Sequence, residues 1–310
     1  MESIISVTNL SKHFKDTTAV DNLSFSVYQG DIYGFLGQNG AGKSTTIRML
    51  LSLIKPTSGT IELFGMNLRT HRLEILKQVG AIVEKPDTYK YLTAFENISL
   101  FASMSGVKIP KMRLMEKLEL VDLAERAHSR VKTFSQGMKQ RLGIAIALVH
   151  DPGLLILDEP TNGLDPQGIA DMRNLILDLS KNHQKTILVS SHLLSEIEVM
   201  ANRMMIIDKG KKIIEGQVSS LLNGSNMIVE LQTTDWEKTS QVLENSKWKS
   251  FLRRSQNGKF ILEMDKMQVP ELNKELVEKG IGILHLQPRH SLEDYFLSIT
   301  TMPHVDAVAN

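Results

Sequence analysis

The chain has 310 residues, 42% hydrophobic and 23% charged, with 36 Lys+Arg against 35 Asp+Glu and a formal net charge of +1. That is a globular composition with room for one large domain and a small one, and it carries no electrostatic footprint for nucleic acid. With no cysteine, disulfides, thiolate zinc sites and cysteine nucleophiles are excluded, as suits a cytosolic protein.

The first residues, Met1-Glu2-Ser3-Ile4-Ile5-Ser6, lack the basic n-region and apolar h-region of a signal peptide. Strands are predicted at 24–28 and 31–36. The second runs straight into Gly37-Gln38-Asn39-Gly40-Ala41-Gly42-Lys43-Ser44-Thr45, which fits G-x-x-x-x-G-K-[ST] at every fixed position. A helix is predicted to follow from Thr46. Strand, glycine loop and helix start are the context a phosphate-binding loop requires: successive N–H groups turn inward and the helix N-terminus adds partial positive charge. In such a loop Lys43 bridges the β- and γ-phosphates and Ser44 ligates Mg²⁺.

Further strands are predicted at 60–63 and 79–83. Between 85 and 150 the strand pattern gives way to helices at 93–104, 111–120 and 136–150, so a helical insert interrupts an α/β core. Strands return at 154–157, 186–190, 204–207 and 212–215. No uninterrupted apolar run reaches bilayer length. Asn223-Gly224-Ser225-Asn226 reads as a linker. Beyond it, strands at 227–232, 259–263 with Met264, and 281–287 alternate with helices at 235–245, 270–279 and 291–300. Ser291 and Asp294 are spaced as an analogue of a capping box for the last of these. The expectation is a domain over 1–222, a small α+β domain of ferredoxin-like pattern over 227–301, and a loose tail over 302–310.

Two further motifs carry chemistry. Leu154-Leu155-Ile156-Leu157-Asp158-Glu159 is a buried strand ending in two carboxylates, and adjacent strand residues point to opposite sides, which separates their roles. Asp158 is placed to hold the Mg²⁺ shell, and Glu159 to polarise the water that attacks a γ-phosphate. In Phe134-Ser135-Gln136-Gly137-Met138-Lys139-Gln140-Arg141, Ser135 is a natural helix N-cap, and Gly137 permits close approach of a ligand to the first turn. His128, His150 and His183 lack such context and read as surface residues. Trp236 and Trp248 read as packing anchors.

Taken in order, these motifs resemble the nucleotide-binding domain of an ABC transporter, from about Val7 to Gly216. The 37–45 loop resembles Walker A, 154–159 resembles Walker B, and Ser135-Gln136-Gly137-Met138-Lys139-Gln140 resembles the signature usually written LSGGQ. Asn162-Gly163-Leu164-Asp165 matches the D-loop, His192 the switch histidine that donates to the γ-phosphate, and Phe14 the aromatic that stacks on adenine. The resemblance implies a P-loop NTPase fold of ABC type, with ATP and Mg²⁺ as cofactors and hydrolysis as the activity. The nucleotide contacts it implies are Phe14, Gly37, Asn39, Gly40, Ala41, Gly42, Lys43, Ser44 and Thr45, with Ser135 and Gly137 supplied in trans by a second such domain. Two departures stand out: Gln136 replaces a signature glycine, and Glu84 stands where the family usually carries the Q-loop glutamine. Gly80-Ala81-Ile82-Val83-Glu84-Lys85-Pro86 resembles the glutamate version found in ATP-binding subunits of bacitracin and lantibiotic-immunity exporters, which makes Glu84 both a catalytic candidate and a metal-ligand candidate beside Ser44 and Asp158. The resemblance further implies a separate membrane permease as partner, a peripheral location at the cytoplasmic face of the membrane, and no nucleic-acid partner. The alternative is an ABC-type ATPase that remodels a ribosome or nucleic-acid complex. Relatives of that kind usually carry two nucleotide domains, long coiled coils or zinc modules, none of which is visible here.

Overall fold

A computed structural model describes residues 2–106, 108–222, 227–256 and 258–289. The chain divides into two compact units, Met1–Val218 and Ser219–Asn310. The first begins with two twelve-residue strands, β1 (Ser3–Phe14) and β2 (Thr17–Tyr28). β3 (Ile32–Leu36), α1 (Lys43–Leu50), β4 (Ser58–Leu63), β5 (Met66–Asn67), α2 (Arg72–Leu76) and β6 (Val79–Ile82) follow. The insert contributes α3 (Ala94–Met104), α4 (Lys111–Leu120) and α5 (Gln136–Ala147). β7 (Leu154–Asp158), α6 (Pro166–Lys181), β8 (Thr186–Ser191), α7 (Leu194–Met200), β9 (Arg203–Asp208), β10 (Lys211–Gln217) and α8 (Val218–Leu222) complete the elements up to Leu222, and the linker expected at 223–226 lies outside the described residues.

Two sheets build the first unit. An antiparallel sheet has the order β2-β1-β4-β5, and a six-stranded sheet has the order β10-β9-β3-β8-β7-β6. In the latter β3, β8, β7, β6 and β9 run parallel and β10 is antiparallel to β9. The strands β3, β7 and β8 are buried along their whole length, as expected of parallel strands covered on both faces. Phe25 of β2 stacks on Tyr33 and Phe35 of β3, centroids 5.8 Å apart in each case, which joins the two sheets across one core. At the N-terminal end of β3 the guanidinium of Arg203 lies over Tyr28 and Tyr33 and pairs with Asp31 at 3.1 Å. Burial, reinforced by the Glu215 carboxylate, pushes the Tyr33 phenol well above its ordinary pKa, so it remains the donor to Glu215 at 2.8 Å.

Several expectations are corrected here. The strand expected at 24–28 is the end of a strand that starts at Thr17, and β1 ahead of it was not expected at all. Its apolar alternation is broken by register shifts at four points against β2 and by Asn9 at φ 49°. The helix after the phosphate loop begins at Lys43, three residues earlier than expected. His150 is a half-buried residue whose Nε2 meets the Val79 carbonyl at 3.1 Å. The insert is capped as its sequence requires: Thr93 and Glu96 form a reciprocal capping box on α3, and the Ser135 hydroxyl accepts from Met138 N on α5.

The second unit runs β11 (Met227–Thr233), α9 (Trp236–Glu244), β12 (Leu252–Gln256), β13 (Lys259–Met264), α10 (Val269–Glu278) and β14 (Ile283–Arg289). Its sheet order is β12-β13-β11-β14, antiparallel throughout, which is the split βαβ arrangement of a ferredoxin-like unit. One face of the sheet packs on α9 and α10 around the fully buried Trp248, whose indole N–H donates to Glu275 at 2.7 Å. That hydrogen bond holds the Glu275 carboxyl below its usual range. Trp236, 43% exposed, stacks on Phe260. The helix expected at 291–300, with its Ser291–Asp294 cap, and the 302–310 tail lie outside the described residues.

Candidate functional site

The site stands at the C-terminal ends of three neighbouring parallel strands, β3, β8 and β7, where register pairs Leu36 with Ser191 and Asp158 with Ser190. Ligand sites of open α/β sheets lie at this edge. The loop after β3 curls through Gly37, Asn39, Gly40 and Ala41 to Gly42, which has φ 107° and serves as the N-cap of α1. A side chain at Gly42 would put its Cβ 2.5 Å from the Ala19 carbonyl oxygen, so only glycine fits. No side chain caps α1, leaving its first N–H groups free for an anion. Ser44 and Thr45 occupy its first turn, half-buried.

Lys43 is 4% exposed and threefold coordinated: its Nζ donates to the Gly37 carbonyl at 2.6 Å and the Gln38 carbonyl at 3.2 Å, and lies 3.2 Å from Glu159 Oε1. The second oxygen of Glu159 lies 3.0 Å from His192 Nδ1. One carboxylate thus spans Lys43 and His192. The pleat is not what separates it from Asp158, contrary to the sequence expectation. β7 ends at Asp158, and Glu159 leaves the strand in the left-handed region at φ 48°, so both carboxylates line the same cleft. Ser190 sets the pair: its hydroxyl donates to Asp158 Oδ1 at 2.6 Å and accepts from Glu159 N at 2.9 Å.

Asp158 Oδ2 is buried and has no hydrogen-bond partner. An unpaired carboxylate oxygen in a cleft that Ser44 also lines suits a hard cation bound jointly with phosphate. Among the described residues no three His, Cys, Asp or Glu side chains cluster as a metal site of their own. The residues present therefore fit Mg²⁺.

The cleft encloses about 600 Å³ and is lined by Ser44, Glu84, Gln140, Asp158, Glu159 and Asn162, among others. Glu84 sits in it with φ 62° and is ion-paired to Arg48 of α1. Gln140 of α5 is buried, and its Oε1 has no partner. Phe14 closes β1 with 46% of its surface exposed, the Lys12 ammonium 4.9 Å above its ring. Ser135 and Gly137 are not brought to the phosphate loop. They line a separate recess of about 810 Å³ with Leu164 and Asp165. Arg48, Ser190 and the buried trio Thr161, Ser191 and Glu196 escape the sequence reading, because the pairs Arg48–Glu84, Ser190–Asp158 and Thr161–Glu196 join residues 32 to 36 positions apart. Gln140 stands in the signature motif, which gives no sign of its place in this cleft.

Residues 20–162 match the ABC transporter family model. The bacitracin transport ATP-binding protein BcrA of Bacillus licheniformis is 47% identical over 96% of this chain and 98% of its own length. The lantibiotic transport ATP-binding protein SrtF of Streptococcus pyogenes is 40% identical over 74% of this chain and 95% of its own length. Among solved structures, an ATP-binding subunit of an ABC transporter superposes with a TM-score of 0.63 at 31% identity, covering 70% of this chain and 91% of that one.

Proposed function

As this chain belongs to the ATP-binding proteins of ABC transporters, which bind ATP and hydrolyse it to drive transport, we propose that it powers export of an antimicrobial peptide or similar amphiphile through a separate permease. The near full-length similarity to the bacitracin transport protein supports that substrate class. No described helix is long and apolar enough to cross a membrane. The likeness to ATP-binding proteins of bacitracin and lantibiotic transport supports a separate permease and a peripheral station at the cytoplasmic membrane face. The observation that carries the reading is the Lys43–Glu159–His192 array beside the unpartnered Asp158 oxygen.

In this mechanism the N-terminus of α1 and Lys43 hold the triphosphate, and Phe14 offers its exposed ring to the base. As Lys43 moves its charge to phosphate, Glu159 loses its cationic partner and becomes free to accept a proton from the attacking water. His192, no longer held only by Glu159, donates to the γ-phosphate. Ser44 and Asp158, with Glu84 as a further candidate, would hold Mg²⁺, which would supply positive charge against the phosphates. Ser135 and Gly137 open on a recess apart from the phosphate loop, which supports their serving the nucleotide of a second chain arranged head to tail. Loss of the γ-phosphate then releases both His192 and the opposing Ser135, and the pair opens.

The test uses the full chain with Mg²⁺ and ATP. Glu159→Gln keeps ATP binding but slows turnover by about 10²–10⁴-fold, the usual worth of a general base, and elutes as an ATP-dependent dimer. Lys43→Ala abolishes turnover by leaving phosphate charge uncompensated. Wild-type turnover in a folded Glu159→Gln protein refutes the assignment.

A further inference from the structure

Glu196 of α7 is 8% exposed and lines one recess with Glu159 and His192, while its hydrogen bonds go to neither of them. Its Oε2 accepts two hydrogen bonds, from the Thr161 hydroxyl at 2.7 Å and from the Ser191 hydroxyl at 2.8 Å. Thr161 and Ser191 are themselves buried. Thr161 lies between Glu159 and the Asn162-Gly163 turn, and Ser191 immediately precedes His192. The Ser191 oxygen also accepts from Leu193 N at 3.0 Å, so it fixes the backbone on both sides of His192. Placement near the α7 N-terminus would favour any acidic residue by the helix dipole, but that effect is available to an exposed glutamate and needs neither hydroxyl. A buried carboxylate is costly unless its oxygens are satisfied, so neither loop can shift away from the other without leaving Glu196 underbonded.

We propose that Glu196 is a positioning residue that yokes the Thr161 segment following the catalytic Glu159 to the Ser191–His192 segment, so that the two sides of the hydrolytic centre move as one body. The inference rests on the ATPase reading above. It assigns Glu196 no contact with nucleotide. Its effect is to hold Glu159 and His192 in register, and to carry any movement of His192 into the Asn162-Gly163 turn that borders both the nucleotide cleft and the Ser135 recess.

The experiment compares Glu196→Ala, Glu196→Gln, Thr161→Val and the Thr161→Val/Glu196→Ala pair in the full chain complexed with the permease it copurifies with, reading kcat, ATP affinity and melting temperature. Misplacement of reacting groups costs about tenfold to hundredfold in rate, so Glu196→Ala lowers kcat by that factor. Its ATP affinity stays within about twofold, because binding rests on the Lys43 loop. Glu196→Gln keeps an oxygen that both hydroxyls can reach and recovers most of the rate. Thr161→Val lowers kcat alone but adds nothing in the Glu196→Ala background. Should Glu196→Ala fail to fold, Thr161→Val and Ser191→Ala, each leaving one donor in place, carry the same comparison. Wild-type kcat in folded Glu196→Ala overturns the proposal, as does a loss of kcat, affinity and melting temperature together without rescue by Glu196→Gln. A wild-type complex that does not hydrolyse ATP instead refutes the function from which the inference starts.

Discussion

Replacing Gly143 by alanine puts a methyl group where α5 touches the loop that carries Glu84. The new Cβ would stand 2.8 Å from both Cβ and Cγ of Pro86 and 3.2 Å from Ile82 Cδ1, atoms that flank Glu84 two residues to either side. Carbon atoms rest at about 3.5–4.0 Å, so helix and loop must part by more than half an ångström, and a proline ring cannot rotate aside. Overpacking of this kind costs about 1–3 kcal/mol. The alanine returns about 1 kcal/mol of helix propensity in exchange. The net loss is on the order of 1 kcal/mol, which in a unit of this size lowers the melting temperature by about 2–4 °C. The same displacement moves Glu84 relative to Ser44 and Asp158 across the cleft, and turnover falls about tenfold or more while nucleotide affinity, set at the Lys43 loop, holds. Circular-dichroism melting and a coupled ATPase assay measure the two effects. A variant that melts above wild type would show the propensity gain acting alone and refute the close approach of α5 to Pro86. A variant that melts lower but turns over normally would show that Glu84 does not feel the helix.

Glu84→Ala removes an exposed pair with Arg48, worth about 0.2–1 kcal/mol, so ATP affinity stays within about fivefold while export measured in cells falls by more than that, and Glu84→Gln is milder than Glu84→Ala. Equal export by the alanine variant and wild type would reduce Glu84 to a solvated carboxylate. His150 gives a pH signature: burial lowers its pKa, opposed by the bond to the Val79 carbonyl, so the unfolded chain takes up the proton first as pH falls. The stability it contributes is complete above the unfolded value of about 6.5 and is lost as pH drops through the folded value. Urea unfolding of wild type and His150→Gln across that window should show the wild type losing ground to the variant on the acid side.

What the sequence discloses depends on whether the physics is local. The phosphate loop is legible because a glycine turn, a lysine and a helix N-terminus must be consecutive to cradle phosphate. β7 is legible because a strand buried on both faces reads as an apolar run. β1 was hidden because bulges and a left-handed Asn9 break its alternation, and β12, Leu-Arg-Arg-Ser-Gln at the sheet edge, offers no apolar rhythm. The roles of Asp158 and Glu159 were separated by the wrong device, since the strand ends at Asp158 and Glu159 is itself left-handed. The hydroxyl bridge of Ser190 and the Glu196 yoke join residues 5 to 35 positions apart, and only the folded sheet brings them together.

The distribution of indoles has an optical consequence. Both tryptophans of the chain lie in the ferredoxin-like unit, one enclosed against Glu275 and one half-open on Phe260. The nucleotide-binding unit contains none, so under excitation at the red edge of protein absorbance it is dark. Intrinsic emission from the intact protein is therefore a label on the small unit alone, with no dye attached. Any change in its intensity or wavelength when ATP is added would be a response of the small unit to nucleotide held by the other, and its titration curve would report how faithfully the one follows the other.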